Sequence, residues 1–263
     1  MKKIKTLPER TSKPVPERFI SMSNVVARSA QGLGLVEKRI IALGLAKTDS
    51  VPASTLAMAS REGWKVRFSA AEYAESYDVS LDAAYLQMKE AGNQFLKKTV
   101  RRLEQDHKGR IIEHKSNWLS GTTYHHGEGW VEIRFSYEVA PHLLALRANF
   151  TTYKLKQAAA LRSVYAWRLF ECLQSWKSTG RWLVDIEEFN YTMEVPESLK
   201  KDFGQLRRRV LEPAIKELKN KDGMQIDLQL IKAGRKITTL DFRFNPAVQG
   251  CLPFDDQLKI DIS

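Results

Sequence analysis

Apolar residues recur every three or four positions between Val25 and Lys47, with Val36, Ile40, Leu43 and Ala46 on one face. They do so again between Ser163 and Ser178, where Val164, Trp167, Phe170, Leu173 and Trp176 share a face. Each spacing predicts an amphipathic helix. Strict alternation marks two short strands, WKVRFS at 64–69 and WLVDIE at 182–187, each opened by a tryptophan. The second strand lies 118 residues after the first (182 minus 64), and the pattern around them repeats.

Past the strands the match continues with two residues deleted, so that Tyr73, Tyr77 and Val79 fall on Phe189, Met193 and Val195. The original offset then returns: Ser80 falls on Ser198, Leu81 on Leu199, Tyr85 on Phe203, Met88 on Leu206 and Val100 on Leu218. Both serines stand where a helix N-cap belongs. VEIRF at 131–135 matches LDFRF at 240–244, each with apolar side chains on one face and an acid and an arginine on the other. The chain reads as one module used twice: helix, short strand, short helix, turn, longer helix, two strands. That is the order of a winged helix-turn-helix; periodicity alone also admits another α+β arrangement, which the repeat disfavours, so the expected class is α+β, predominantly helical, with tandem winged helices and small β-hairpin wings.

The expected division is a flexible basic arm over 1–20, a first module over 21–150, a second over 151–246 and a loosely held tail over 247–263. PHLLALRANFTTYKLKQ at 141–157 is expected to form a helix and the connection between modules. The formal net charge of +11 favours a polyanionic partner. No apolar run is long enough for a bilayer, and no signal-peptide pattern opens the chain, so a soluble cytoplasmic protein is expected. Cys172 and Cys251 are the only cysteines, neither at a metal or redox spacing.

The charge concentrates in VPESLKKDFGQLRRRVLEPAIKEL at 195–218. With Ser198 as cap, the helix it predicts has a core stripe of Leu199, Phe203, Leu206, Val210 and Ala214. Beside it run two polar rows, Lys200, Gly204 and Arg207, then Lys201, Gln205 and Arg208. Arginine pairs bidentately with guanine and glutamine with adenine, while lysine suits phosphate. The N-terminal half of such a helix is the part that enters the major groove. Gly204, costing about 1 kcal/mol relative to alanine inside a helix, fits a close backbone approach. Pro213 denies the Arg209 carbonyl its partner and is expected to bend the helix.

KAGRK at 232–236 reads as a basic wing turn whose Arg235 and Lys236 meet phosphate or the minor groove. In the first module the equivalent helix, LDAAYLQMKEAGNQFLKKTVRRLEQ, holds Lys97, Lys98, Arg101 and Arg102 near its C-terminal end, where they complement the helix dipole. Its wing link, SNWLSGTTYHHGE at 116–128, is nearly neutral. The first module therefore suits phosphate contact or association more than base reading. Lys89, Lys97 and Lys98 there, with Arg162 and Ser163 before the leading helix of the second module, complete the candidate DNA-contacting set.

The blocks GLVEKRIIALGLAKTD at 34–49, FSAAEYAESYDVSLDAAYLQMKEAGNQFLKK at 68–98, SVYAWRLFECLQSWKSTGRWLVDIEEF at 163–189 and RRRVLEPAIKEL at 207–218 together resemble one family. It is that of the replication initiator (Rep) proteins of iteron-controlled plasmids, which have two winged-helix domains. The resemblance spans nearly all of 21–246. It implies that monomers bind direct-repeat sites in double-stranded DNA at a plasmid origin, help open an AT-rich region and recruit a host initiator, helicase and chaperones. It further implies a homodimer, joined largely through the first module, that binds an inverted repeat and represses its own gene. Base contacts are implied around Lys200 to Arg208, and the location would be the bacterial cytoplasm.

Catalysis has little support. Tyr124, His125 and His126 superficially suggest a metal-dependent nuclease, but adjacent histidines on a strand or turn point apart. GLGLVE at 32–37 lacks a third glycine and a preceding strand. Asp78, Asp82, Asp185, Glu187 and Glu188 form no spaced acid–base pair. No enzyme activity, metal or cofactor is expected. The rival readings are a stand-alone repressor with two winged helices and a protein-interaction scaffold without DNA affinity.

Overall fold

Three-stranded antiparallel sheets of one topology occur twice, each flanked by helices in the same order. The computed structural model describes residues 14–48, 64–125, 127–144 and 149–245. The first module runs β1 (Phe19–Ser23), α1 (Asn24–Arg28), α2 (Leu35–Ala46), β2 (Lys65–Ser69), α3 (Ala70–Tyr77), α4 (Leu81–Phe95), β3 (Thr99–Gln105), β4 (Ile111–Asn117), β5 (Leu119–His125) and β6 (Trp130–Phe135). A connecting stretch holds α5 (Ala140–Leu144), β7 (Phe150–Lys154) and α6 (Leu155–Ala159). The second module runs α7 (Val164–Ser175), β8 (Arg181–Asp185), α8 (Ile186–Thr192), α9 (Glu197–Lys200), α10 (Phe203–Leu206), a π-helical turn (Arg207–Leu211), α11 (Glu212–Lys221), β9 (Gln225–Ala233) and β10 (Lys236–Asn245).

The sheet orders are β2-β6-β5 and β8-β10-β9, with the predicted VEIRF and LDFRF strands central in each. Val66 faces Ile133 in the first and Val184 faces Leu240 in the second. The acids on the opposite face are clamped by cations in both copies. Glu132 lies 3.5 Å from Lys65 and 3.3 Å from Arg67, and the buried Asp241 lies 2.7 Å from Arg181 and 3.2 Å from Arg243. Each short helix also ends on a single non-glycine residue in the left-handed region, Asp78 (φ 50°) and Glu194 (φ 53°), at matched positions. Ser69 caps α3 in a capping box with Glu72, and Ser80 caps α4 through the Ala83 amide, as the pattern predicted for Ser80.

Several elements differ from expectation. The helix predicted over Val25–Lys47 is two, because Gly32 turns with φ 63° and the Ala30 backbone pairs with Arg101 instead of continuing a helix. The α2 helix is buried on nearly every side, Glu37, Lys38 and Arg39 included, so it is a central element and not a surface one. The α4 helix stops at Phe95, so Arg101 and Arg102 lie on β3, where pairing with β4 overrides the helical spacing. The repeat fails there: the β3–β4 hairpin is an insertion with no counterpart in the second module. The supposed link at 116–128 is mostly strand, the end of β4 and all of β5.

The stretch 141–157 is not one helix but α5, then β7, then the start of α6. β7 pairs with β1, Ile20 opposite Tyr153, so backbone pairing crosses the expected module boundary at 150/151. Packed structure begins inside the expected basic arm: Arg18 and Ile20 are buried and strand β1 opens at Phe19. Residues 1–13 and the tail, with Cys251, lie outside the described residues. Cys172 is free and buried, its thiol pushed up to about 11 by burial.

Candidate nucleic-acid interface

The basic segment of the second module is built differently from the single helix its spacing predicts. Ser198 does not cap it. The one-turn α9 follows Pro196, and the chain then breaks at Lys201 and Asp202. Asp202 caps the next turn, its carboxylate accepting the Gly204 amide at 2.8 Å and the Gln205 amide at 3.2 Å. Five residues on, the backbone widens into the π turn Arg207–Leu211, directly before Pro213 at the start of α11. A π turn bonds i to i+5, and the Glu212 amide donates to the Arg207 carbonyl in that way. The proline thus follows a widened turn, where the spacing predicts a plain α-helix with a kink.

The predicted core stripe survives this rebuilding. Leu206, Val210 and Ala214 are each 1% exposed, while Leu199 and Phe203 pack half-buried against the core. The opposite side is solvent-facing: Lys200, Lys201, Arg207, Arg208 and Arg209 are all exposed. Lys200 pairs with Glu197 at 2.5 Å and Arg207 with Glu212 at 2.7 Å, exposed contacts worth little in water. Arg208 and Arg209 have no ion-pair or hydrogen-bond partner among the described residues. Arg209 belongs to neither predicted polar row and is exposed as well, within the π turn. Gln205 is half-buried, and its Oε1 is buried without a partner among the described residues.

The wing of the same module is the β9–β10 hairpin. Lys236 pairs with Ala233, leaving a two-residue turn of Gly234, with φ 60°, and Arg235. Lys232, Arg235 and Lys236 are exposed around it. The module thus presents a cation-rich turn and a cation-rich helical segment, each suited to a phosphate backbone.

The remaining predicted residues divide. Lys89 and Lys97 are exposed in the first module. Lys98 is half-buried with its ammonium 3.4 Å from Glu37, so it is drawn inward and is not a free phosphate contact. Arg162 donates to the Tyr77 carbonyl at 3.1 Å across the modules, and Ser163 caps α7 by accepting from the Tyr165 and Ala166 amides. Arg162 stays exposed beside that bond, and Ser163 is half-buried. The first wing also carries a feature that hydropathy did not disclose: the Arg67 guanidinium lies 3.8 Å over the Trp130 ring, with His125 stacked on that ring at 5.1 Å. Cross-strand pairing of Arg67, Glu132, Trp130 and His125 on one sheet face was the signal available, once the strands were known.

Among the described residues no three His, Cys, Asp or Glu side chains stand close enough to hold a metal ion, and no helix is long and apolar enough to cross a membrane. Tyr124 and His125 lie on β5, and His126 is outside the described residues.

Comparison with known proteins gives a consistent result. The family model described as "Initiator Replication protein, WH1" matches residues 19–174, and "Initiator Rep protein, WH2" matches 185–244. The chain is 26% identical to an uncharacterized 27.6 kDa protein of Escherichia coli, over 86% of this chain and 95% of that one. It is 26% identical to a replication initiation protein of Escherichia coli, over 72% of this chain and 58% of the relative. A probable replication protein of Bifidobacterium longum (strain NCC 2705) is 29% identical over 43% of this chain and 38% of its own length. Among solved structures, the Pi initiator protein in complex with iteron DNA superposes with a TM-score of 0.67 at 20% identity, covering 88% of this chain and 98% of the other. That similarity shows a common fold. With the two domain families met in order along one chain, and the first alone spanning more than half of it, the chain belongs to the initiator replication protein family.

Proposed function

We propose that this protein is a plasmid replication initiator that binds direct repeats in double-stranded DNA at an origin, as a monomer and chiefly through its second module. Bound there, it helps to open the duplex and brings in the host replication machinery. One observation carries the reading: Arg208 and Arg209 are exposed, without partners among the described residues, on the segment that the winged-helix order assigns to the major groove, near in sequence to a wing tipped by Arg235 and Lys236. The iteron DNA bound by the similar Pi initiator protein supports direct repeats as the target.

The first module, over about residues 21–150, supplies auxiliary phosphate contacts through Lys89 and Lys97 and the surface for a homodimer that represses its own gene on an inverted repeat. The β3–β4 hairpin suits association. Leu103, Ile111 and Ile112 are 45%, 69% and 43% exposed, and β4 has no pairing partner on its outer edge among the described residues.

The deciding experiment is footprinting and quantitative binding on DNA flanking the gene, with direct-repeat and inverted-repeat duplexes. The reading expects monomers on evenly spaced direct repeats, dimers on the inverted repeat, and a steep loss of affinity between ~50 and ~200 mM salt. Occupation of the inverted repeat alone would make the protein a plain repressor. A flat salt response would remove DNA altogether.

A further inference from the structure

Glu171, on α7 of the second module, is 2% exposed and receives four hydrogen bonds. Its Oε2 accepts from Lys38 Nζ at 2.8 Å, Arg168 Nη1 at 2.7 Å and Gln31 Nε2 at 3.1 Å, and its Oε1 from the Tyr153 hydroxyl at 2.9 Å. Lys38 and Gln31 belong to the first module, and Lys38 also donates to Gln31 Oε1 at 2.7 Å. Arg168 reaches back to first-module backbone, to the Ala27 carbonyl at 3.1 Å and the Ser29 carbonyl at 2.6 Å. Burial alone would raise the Glu171 carboxyl, but Lys38 and Arg168 more than offset it and hold it below its ordinary value.

A second tie sits at the entrance to the basic segment. Glu194, in the turn just ahead of α9, accepts the Gln31 amide at 3.1 Å, the Gly32 amide at 2.6 Å and the Arg101 guanidinium at 2.7 Å. A third joins Arg28 to Ser175, with its guanidinium 3.9 Å over Trp176. An apolar interface tolerates sliding and small rotation, whereas directional bonds to buried charges, made at separate points, fix both translation and angle.

Resting on the proposed function, we infer that Glu171 and Glu194 are positioning residues that lock the two modules at one spacing and angle, so that the protein reads the separation of its two DNA sub-sites as well as their sequence. One inserted base pair shifts a sub-site by about 3.4 Å along the axis and rotates it by roughly 35°. A locked pair of modules cannot follow that move without losing contacts.

The test uses the full chain and duplexes that it selects from a random pool, with one or two base pairs then inserted between the segments that each module protects. Wild type should lose about tenfold or more on a single insertion. Glu171→Gln should bind the parent duplex less tightly but lose less than about threefold on insertion. Because the buried position is sensitive, Glu194→Gln and Arg101→Ala, at the half-exposed tie, provide the second measurement and should also flatten the spacing penalty. A purely structural role would weaken parent and inserted duplexes alike. An equal insertion penalty in wild type and in these variants, or none in wild type, overturns the inference while leaving DNA binding intact. Selection of no duplex at all would bring down the proposed function itself.

Discussion

The Asp202 carboxylate accepts the Gly204 amide hydrogen at 2.8 Å, and that bond restarts the helix in the middle of the basic segment. Lys200 and Lys201 are thereby separated from Gln205, Arg207 and Arg208 by a cap. Asp202→Ala should lower stability by about 1 kcal/mol, with Asp202→Asn keeping most of it. Denaturant unfolding checks the value. An unchanged midpoint for the alanine variant would mean that the cap contributes nothing.

Arg208 and Lys236 are both exposed but are expected to act differently. Arg208→Ala should cost ~1 to 3 kcal/mol of specific binding and relax preference at one base pair, whereas Lys236→Ala should weaken all sequences alike and reduce the salt slope by about one. Affinities on a panel of single-base substitutions measure both. A uniform loss for Arg208→Ala would remove it from base reading.

Gly32 cannot be exchanged quietly. Its φ is 63°, and a Cβ there would stand 2.7 Å from the Thr99 carbonyl oxygen, a backbone atom that cannot swing away. Gly32→Ala should destabilise by more than ~1 kcal/mol and disturb the loop that donates to Glu194. Thermal unfolding reads the first effect and the spacing assay the second.

Lys38 supplies a pH signature. Burial lowers its ammonium from 10.5 to about 8, although Glu171 pulls it upward. The unfolded chain keeps this proton up to 10.5 while the folded chain releases it near 8. Unfolding therefore takes up a proton in that window, and this group makes stability rise with pH there. Lys38→Met should remove that contribution, which unfolding midpoints of both proteins between pH 8 and pH 10 would reveal as a more negative slope in the variant.

The exposed apolar residues of the β3–β4 hairpin provide a further check. Ile111→Lys together with Ile112→Lys should shift a dimer toward monomer without loss of direct-repeat binding. Sedimentation at several concentrations decides it, and an unaltered dimer would place the interface elsewhere.

The chain pattern alone determined the duplicated winged-helix order, the central strands 131–135 and 240–244, the Ser80 cap and the stripe Leu206, Val210 and Ala214. Each depends on local periodicity or short-range capping, which a linear sequence carries directly. Only the tertiary structure decided that β3 replaces the end of a predicted helix, since its partner β4 must be present before strand pairing can compete. It alone gave Arg162 and Lys98 their protein contacts, set a π turn at Arg207–Leu211, and gathered Gln31, Lys38, Tyr153, Arg168 and Glu171 into one buried cluster. Those outcomes depend on residues far apart in the chain meeting at hydrogen-bond distance, and no spacing along the sequence encodes that meeting.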